Sequence, residues 1–174
     1  MREETPVLGC VSRLLPRKGF ELLVEVLPEF LEQGAELVVC GNGKRDVKEA
    51  LQQLEARFPE QVAVISYSEA SAAEVLSSID LFLMPSLIEP CGTAQLQAMR
   101  YGAVPLVRAT GGLKDTVKPY DQDHPTAGAL CSRTILPRPS RGADGRADGL
   151  SGRRDLGDLG EALHDPGLLL DAAG

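Results

Sequence analysis

Leu81-Phe82-Leu83-Met84-Pro85-Ser86-Leu87-Ile88-Glu89-Pro90-Cys91-Gly92-Thr93-Ala94-Gln95-Leu96 decides the fold, because it passes from a buried strand to a helix through a turn that carries a carboxylate. Leu81 to Met84 is apolar at every position, as in a strand covered on both faces rather than one. Pro90 biases Glu89 toward extended backbone and so holds it in the turn. Gly92 then opens a helix from Thr93 to Tyr101, whose first N–H groups lack partners within the helix and point back toward the end of the strand. A strand that feeds a helix amino terminus in this way is one step of a βα repeat.

Reading outward in both directions, the same step recurs. Further strands are expected at Val7 to Val11, Glu36 to Cys40, Val62 to Ser66 and Pro105 to Arg108, each short, apolar nearly throughout, and closed by glycine, proline or a polar turn. Between them, Lys18 to Gln33 sets Phe20, Leu23, Leu27 and Phe30 or Leu31 at helical spacing, and Arg45 to Phe58 does the same with Val47, Leu51, Leu54 and Phe58. Pro28 falls inside the first of these, so a kink or a break after Leu27 is expected. Ala70 to Ile79 supplies another helix. The fold class is α/β: a Rossmann-like parallel sheet with helices on both faces, whose ligands sit beyond the carboxyl ends of the strands.

At 174 residues the chain has the length of one globular domain, and 43% hydrophobic residues provide a core. A formal charge of -7 offers no basic face to nucleic acid or to an anionic membrane, so a polyphosphate ligand needs locally placed cations. No apolar run approaches the ~18 residues of a membrane span, and MREETPVLG lacks the pattern of a secretion signal. The expected location is the cytoplasm, or a plastid in a photosynthetic eukaryote. Cys10, Cys40, Cys91 and Cys131 form no CxxC pair, His124 and His164 fall in the least patterned region, and no Asp-x-Asp cluster stands at a strand end. Neither a zinc cage, a disulfide framework nor any other metal or cofactor is implied.

The loops after the strands carry the chemistry. Ser12-Arg13-Leu14-Leu15-Pro16-Arg17-Lys18-Gly19 sets cations just before a helix, where Arg grips phosphate oxygens bidentately and Lys adds a mobile point charge; a solvated basic turn is the plainer alternative. Gly41-Asn42-Gly43 lets a ligand approach the backbone closely at Gly41 and Gly43, although alone it reads first as a turn. It lacks the third glycine of GxGxxG and the acidic residue ~20 positions on, which disfavours a nicotinamide cofactor. Tyr67 offers a ring face for a base, or simple packing. In the turn quoted first, Glu89 accepts from sugar hydroxyls while the backbone at Gly92 and Thr93 receives phosphate oxygens; the alternative is a helix cap.

Three segments carry a family resemblance. Ser12 to Gly19 resembles the SRLxxQKG motif of glycogen and starch synthases, Pro85 to Leu96 resembles their PSRFEPCGLxQL motif, and Met99 to Val117, MRYGAVPLVRATGGLKDTV, is similar to their AMRYGTxPxVxxTGGLxDTV signature. Order and separation also match, over about Pro6 to Thr126. The resemblance implies the carboxyl-terminal Rossmann-like half of a GT-B glycosyltransferase that retains configuration while transferring glucose from ADP-glucose, or less often UDP-glucose, to an α-1,4-glucan. By that resemblance Arg13 and Lys18 neutralise the departing diphosphate, which is electrostatic catalysis. Glu89 lies beside the donor glucose, Tyr67 against the adenine, Gly92 and Thr93 in the phosphate-receiving turn, and Gly111 and Gly112 in a loop near the nucleotide. Cys91 matches a family cysteine that packing explains equally well.

Departures accompany the matches. Arg17 replaces a glutamine, Leu87 and Ile88 replace Arg-Phe and so remove a cation, and Ala94 replaces a hydroxyl-bearing or other polar residue. Synthases of this family carry a preceding domain with a lysine-glycine-glycine motif and the acceptor groove; the expectation is that residues 1–127 alone bind donor weakly and transfer glucose poorly or not at all, since one wall cannot position both substrates. Residues 128–174 lose aromatics and lysine and crowd Arg, Gly and Asp together, so they are expected to be an atypical disordered tail, with a short helix from Leu159 to Leu170. The alternatives are a non-catalytic nucleotide-sugar-binding module or truncated gene remnant, and a different GT-B enzyme. The common GT-B pattern has a second glutamate eight positions after the first, and here that place is Gln97.

Overall fold

In the computed structural model, which describes residues 6–118 and the backbone of residues 130–131, the apolar runs become parallel strands. These are β1 (Val7–Val11), β2 (Glu36–Cys40), β3 (Val62–Ile65), β4 (Leu81–Met84), β5 (Val104–Val107) and β6 (Leu130–Cys131). Helices α1 (Phe20–Leu31), α2 (Arg45–Arg57), α3 (Glu69–Ser78), α4 (Ala94–Tyr101) and α5 (Gly111–Thr116) alternate with them. The sheet order is β3-β2-β1-β4-β5-β6, with every pairing parallel. From β1 the chain winds outward through β2 to β3; it then returns to β4 and winds the other way. The reversal between β1 and β4 is the topological switch point, where the loops on either side splay apart and leave a crevice.

Burial follows the alternation of the strands. One face sets Leu8, Cys10, Leu37, Val39, Leu83 and Leu106 against Phe20, Leu23, Leu27 and Leu31 of α1 and Val47, Leu51 and Leu54 of α2. The other sets Cys40, Phe82, Met84 and Val107 against Val75 and Leu76 of α3, Ala98 of α4 and Leu113 of α5. Apolar burial at about 25 cal/mol per Å² on both faces is what holds the layers together.

Three expectations need correction. Of the kink or break expected after Leu27, the break does not occur: α1 runs through Pro28 to Leu31, and the Glu32 N–H donates to the Pro28 carbonyl at 3.0 Å. A proline inside a helix costs about 3 kcal/mol, and the burial of Phe30 and Leu31, 4% and 1% exposed, offsets it by keeping the last turn on the sheet. Nor does that helix begin at Lys18. Pro16–Lys18 forms a 3-10 turn, and Gly19, at φ 76°, redirects the chain before Phe20. Finally, Gly111 and Gly112 open the short helix α5 rather than lying in a loop, and β6 pairs with β5 beyond it. The tail beyond β6, its expected helix at Leu159 to Leu170, and both histidines lie outside the described residues.

Candidate functional site

The loops after β1 and β4 meet at the switch point. The Leu87 N–H donates to the Arg17 carbonyl at 2.9 Å, and Gly19 lies so close to Pro85 that a Cβ would come within 2.3 Å of its carbonyl oxygen. This closure brings two charged residues together from distant parts of the sequence. The Lys18 ammonium donates to Glu89 Oε2, with side-chain exposures of only 11% and 10%. Ser86, 1% exposed, donates its hydroxyl to the same oxygen at 3.1 Å. An ion pair so far removed from water is attracted more strongly than a surface pair, and each charge is costly without the other.

Helix α5 braces the Glu89 turn from the β5 side. The Gly112 N–H donates to the Glu89 carbonyl at 3.0 Å, and Thr110 Oγ1 donates to the Leu87 carbonyl at 3.3 Å. Gln95 ties the next turn to the same helix: fully buried, it donates Nε2 to the Gly92 carbonyl and to Thr116 Oγ1, both at 3.0 Å. Thr93 precedes α4 without capping it through its side chain, which leaves the first N–H groups of that helix to other acceptors. Gly92, at φ 72°, makes the turn that leads into them. Cys91 is exposed in this turn as a free thiol.

The remaining candidates are placed less directly. Arg13 is exposed on the β1 loop and, among the described residues, its guanidinium makes no hydrogen bond or ion pair, so Lys18 and Glu89 meet without it. The space beside Gly41 and Gly43 is taken by the chain itself, since a Cβ would lie 2.2 Å from the Ser12 carbonyl oxygen at the first and 2.1 Å from that of Leu14 at the second. Both loops continue the parallel ladder past the strands: the Leu14 N–H donates to the Asn42 carbonyl at 2.9 Å, and the Lys44 N–H to the Leu14 carbonyl at 2.7 Å. Tyr67 is 50% exposed after β3, and Asn42 Nδ2 donates to its carbonyl at 3.5 Å. Gly111 and Gly112 contact the backbone of Glu89 and Cys91 respectively. Ser86 and Gln95 have no evident role in the sequence alone. A hydroxyl three residues ahead of the glutamate is the sequence signal for Ser86, and it acquires meaning only once the turn is closed.

Beneath the pair lies Cys10 on β1. Burial pushes its thiol from an ordinary 9.0 up to about 12, against the opposing pull of the Lys18 ammonium, and Cys40 adds to the rise. A thiol held protonated is a poor nucleophile, whereas Cys91 is open to reagents. Iodoacetamide at mildly alkaline pH is therefore expected to label Cys91 and spare Cys10 and Cys40 in the native chain, as read by peptide mass spectrometry. The unfolded thiol ionises first, so the stability contributed by Cys10 is present below about pH 9 and is lost as pH rises toward 12. Near pH 10 the wild type should have lost ~1.4 kcal/mol more than Cys10→Ala, measured by chemical unfolding of both at neutral and alkaline pH.

The doubly wound parallel sheet has the Rossmann-like architecture of GT-B glycosyltransferases, with a buried Lys–Glu pair and an open helix amino end at its switch point. The chain belongs to the Glycosyl transferases group 1 family, whose model matches residues 1–134. Among curated relatives it is similar to the glycogen synthase of Caldicellulosiruptor bescii, 48% identical over 121 residues that cover 69% of this chain and 25% of that protein. Among solved structures it is similar to the catalytic domain of starch synthase IV from Arabidopsis thaliana bound to ADP and acarbose, with a TM-score of 0.65, 34% identity, and coverage of 74% of this chain and 28% of that one. Anabaena HepE in complex with UDP-glucose matches with a TM-score of 0.58 at 25% identity, over 73% of this chain and 35% of that one. The chain spans about a quarter of the length of the curated relatives it matches.

Proposed function

We propose that this chain is the nucleotide-sugar-binding half of a retaining α-1,4-glucan synthase of the cytoplasm, with ADP-glucose as its donor. The observation that carries the reading is the meeting of Lys18 and Glu89 at the switch point, beside the uncapped amino end of α4. The choice of ADP over UDP rests on the likeness to the starch synthase structure that holds ADP.

In this reading the diphosphate settles between Lys18, Arg13 and the N–H groups of the Gly92–Thr93 turn. As the bond between sugar and phosphate breaks, negative charge grows on the departing ADP. Cations and N–H groups already in place stabilise that charge more than they stabilise the ground state, which lowers the barrier. Glu89 holds the sugar hydroxyls and favours the positive charge that develops on the glucose, while Tyr67 offers its ring to the adenine. Transfer also requires the glucan acceptor to be held on an opposing wall with water excluded.

Calorimetric titration of the full chain with ADP, ADP-glucose, UDP and UDP-glucose tests the reading. The adenine ligands are expected to bind and the uracil ligands to bind more weakly. Absence of heat with all four would remove the reading, and tighter binding of UDP-glucose would reassign the donor.

A further inference from the structure

Glu89 presents two unlike oxygens. Oε2 receives both the Lys18 ammonium and the Ser86 hydroxyl. Oε1 accepts no hydrogen bond among the described residues, yet it is not a sealed, unsatisfied atom, so it keeps access to solvent in a residue that is otherwise 92% covered, its exposure being 8%. Lys18 alone does not fix this arrangement, because an ammonium on a flexible four-carbon stem follows either oxygen of a rotating carboxylate. Ser86 is different. It is 1% exposed, sits just past the end of β4 behind Pro85, and its short side chain donates to Glu89 Oε2 at 3.1 Å. A hydroxyl donating to a carboxylate from a buried, rigid site sets the plane of that carboxylate.

We propose that Ser86 is a positioning residue of the site: by sharing Glu89 Oε2 with Lys18 it turns the carboxylate so that Oε1 alone faces the crevice and meets the hydroxyls of a bound sugar. The assignment rests on the donor-binding reading above and refines it. Specificity for the sugar then depends on a residue that touches no ligand.

The test separates sugar from diphosphate. ADP and ADP-glucose are titrated into wild type, Ser86→Ala and Ser86→Thr, with a thermal melt of each. Ser86→Ala is expected to weaken ADP-glucose about tenfold, the scale of one hydrogen bond to a charged group, while ADP changes by less than about twofold. Ser86→Thr keeps the hydroxyl and should restore the ratio of the two affinities. Where alanine fails to fold, Ser86→Cys repeats the measurement with a weak donor of similar size and should show the same selective loss. Equal weakening of both ligands, or an unchanged ratio in Ser86→Ala or Ser86→Cys, overturns the assignment while leaving the donor-binding reading intact. Failure of the wild type to bind either ligand removes that reading first, and this assignment with it.

Discussion

In urea unfolding, Lys18→Met is expected to lose about 3–5 kcal/mol, because it strands the Glu89 carboxylate in a place almost closed to water. The Ser86 hydroxyl remains as a donor, but a neutral hydrogen bond does not replace an ammonium. The double variant Lys18→Met/Glu89→Leu tests the cause. Removing both charges removes both desolvation costs, so it should recover most of the loss, whereas independent packing defects would add. A double variant less stable than Lys18→Met would show that the pair is not the origin of the effect. Glu89→Gln carries the argument into binding. It frees Lys18 from its carboxylate and leaves a buried cation in want of an anion, which a diphosphate supplies. ADP should therefore raise the melting temperature of Glu89→Gln by more than it raises that of the wild type, since a ligand stabilises through its affinity for the folded state. An equal or smaller shift would mean that Lys18 does not face the diphosphate.

How much of this was legible in the sequence depends on how local the signal was. The strands from β1 to β5 stood out because a parallel strand covered on both faces needs a continuous apolar run, and runs such as Leu81–Met84 have no other simple reading. Lys18 and Glu89 were legible for a topological reason: each follows the carboxyl end of a strand, and in this fold those ends converge. The Gly41 and Gly43 pair shows the limit. A glycine announces that something comes close, but not what, and here the visitor is the backbone of Ser12 and Leu14. Helix α5 begins with two glycines and buries only Leu113, so it carries no periodicity to read. The two residues of β6 are too few for any pattern. Pro28 argued for a break by a local rule, and the burial of Phe30 and Leu31 overrode it.

Gly111→Ala should damage both the fold and the site, and Gly102→Ala provides the control that shows why. Both glycines adopt a positive φ, 46° and 93°, so an alanine at either pays the left-handed backbone cost of about 1–2 kcal/mol. At Gly102 no atom lies within 4 Å of the added methyl, and the cost ends there. At Gly111 the methyl would sit 2.0 Å from the Glu89 carbonyl oxygen, a contact with backbone that no side-chain rotation relieves. Overpacking of this kind adds about 1–3 kcal/mol. The strain has two exits. If α5 swings away, the hydrogen bond from the Gly112 N–H to the Glu89 carbonyl is lost; if the 89–91 turn yields instead, it shifts the Gly92–Thr93 turn that follows it. Either displaces groups that the donor site needs in register. Chemical unfolding and ADP titration of the two variants are the measurements. Gly102→Ala should bind ADP as the wild type does with a modest loss of stability, while Gly111→Ala loses more stability and about tenfold in affinity, the scale of one hydrogen bond to a charged group. Equal losses in the two variants would mean that backbone conformation alone, and not the contact with Glu89, makes Gly111 a glycine.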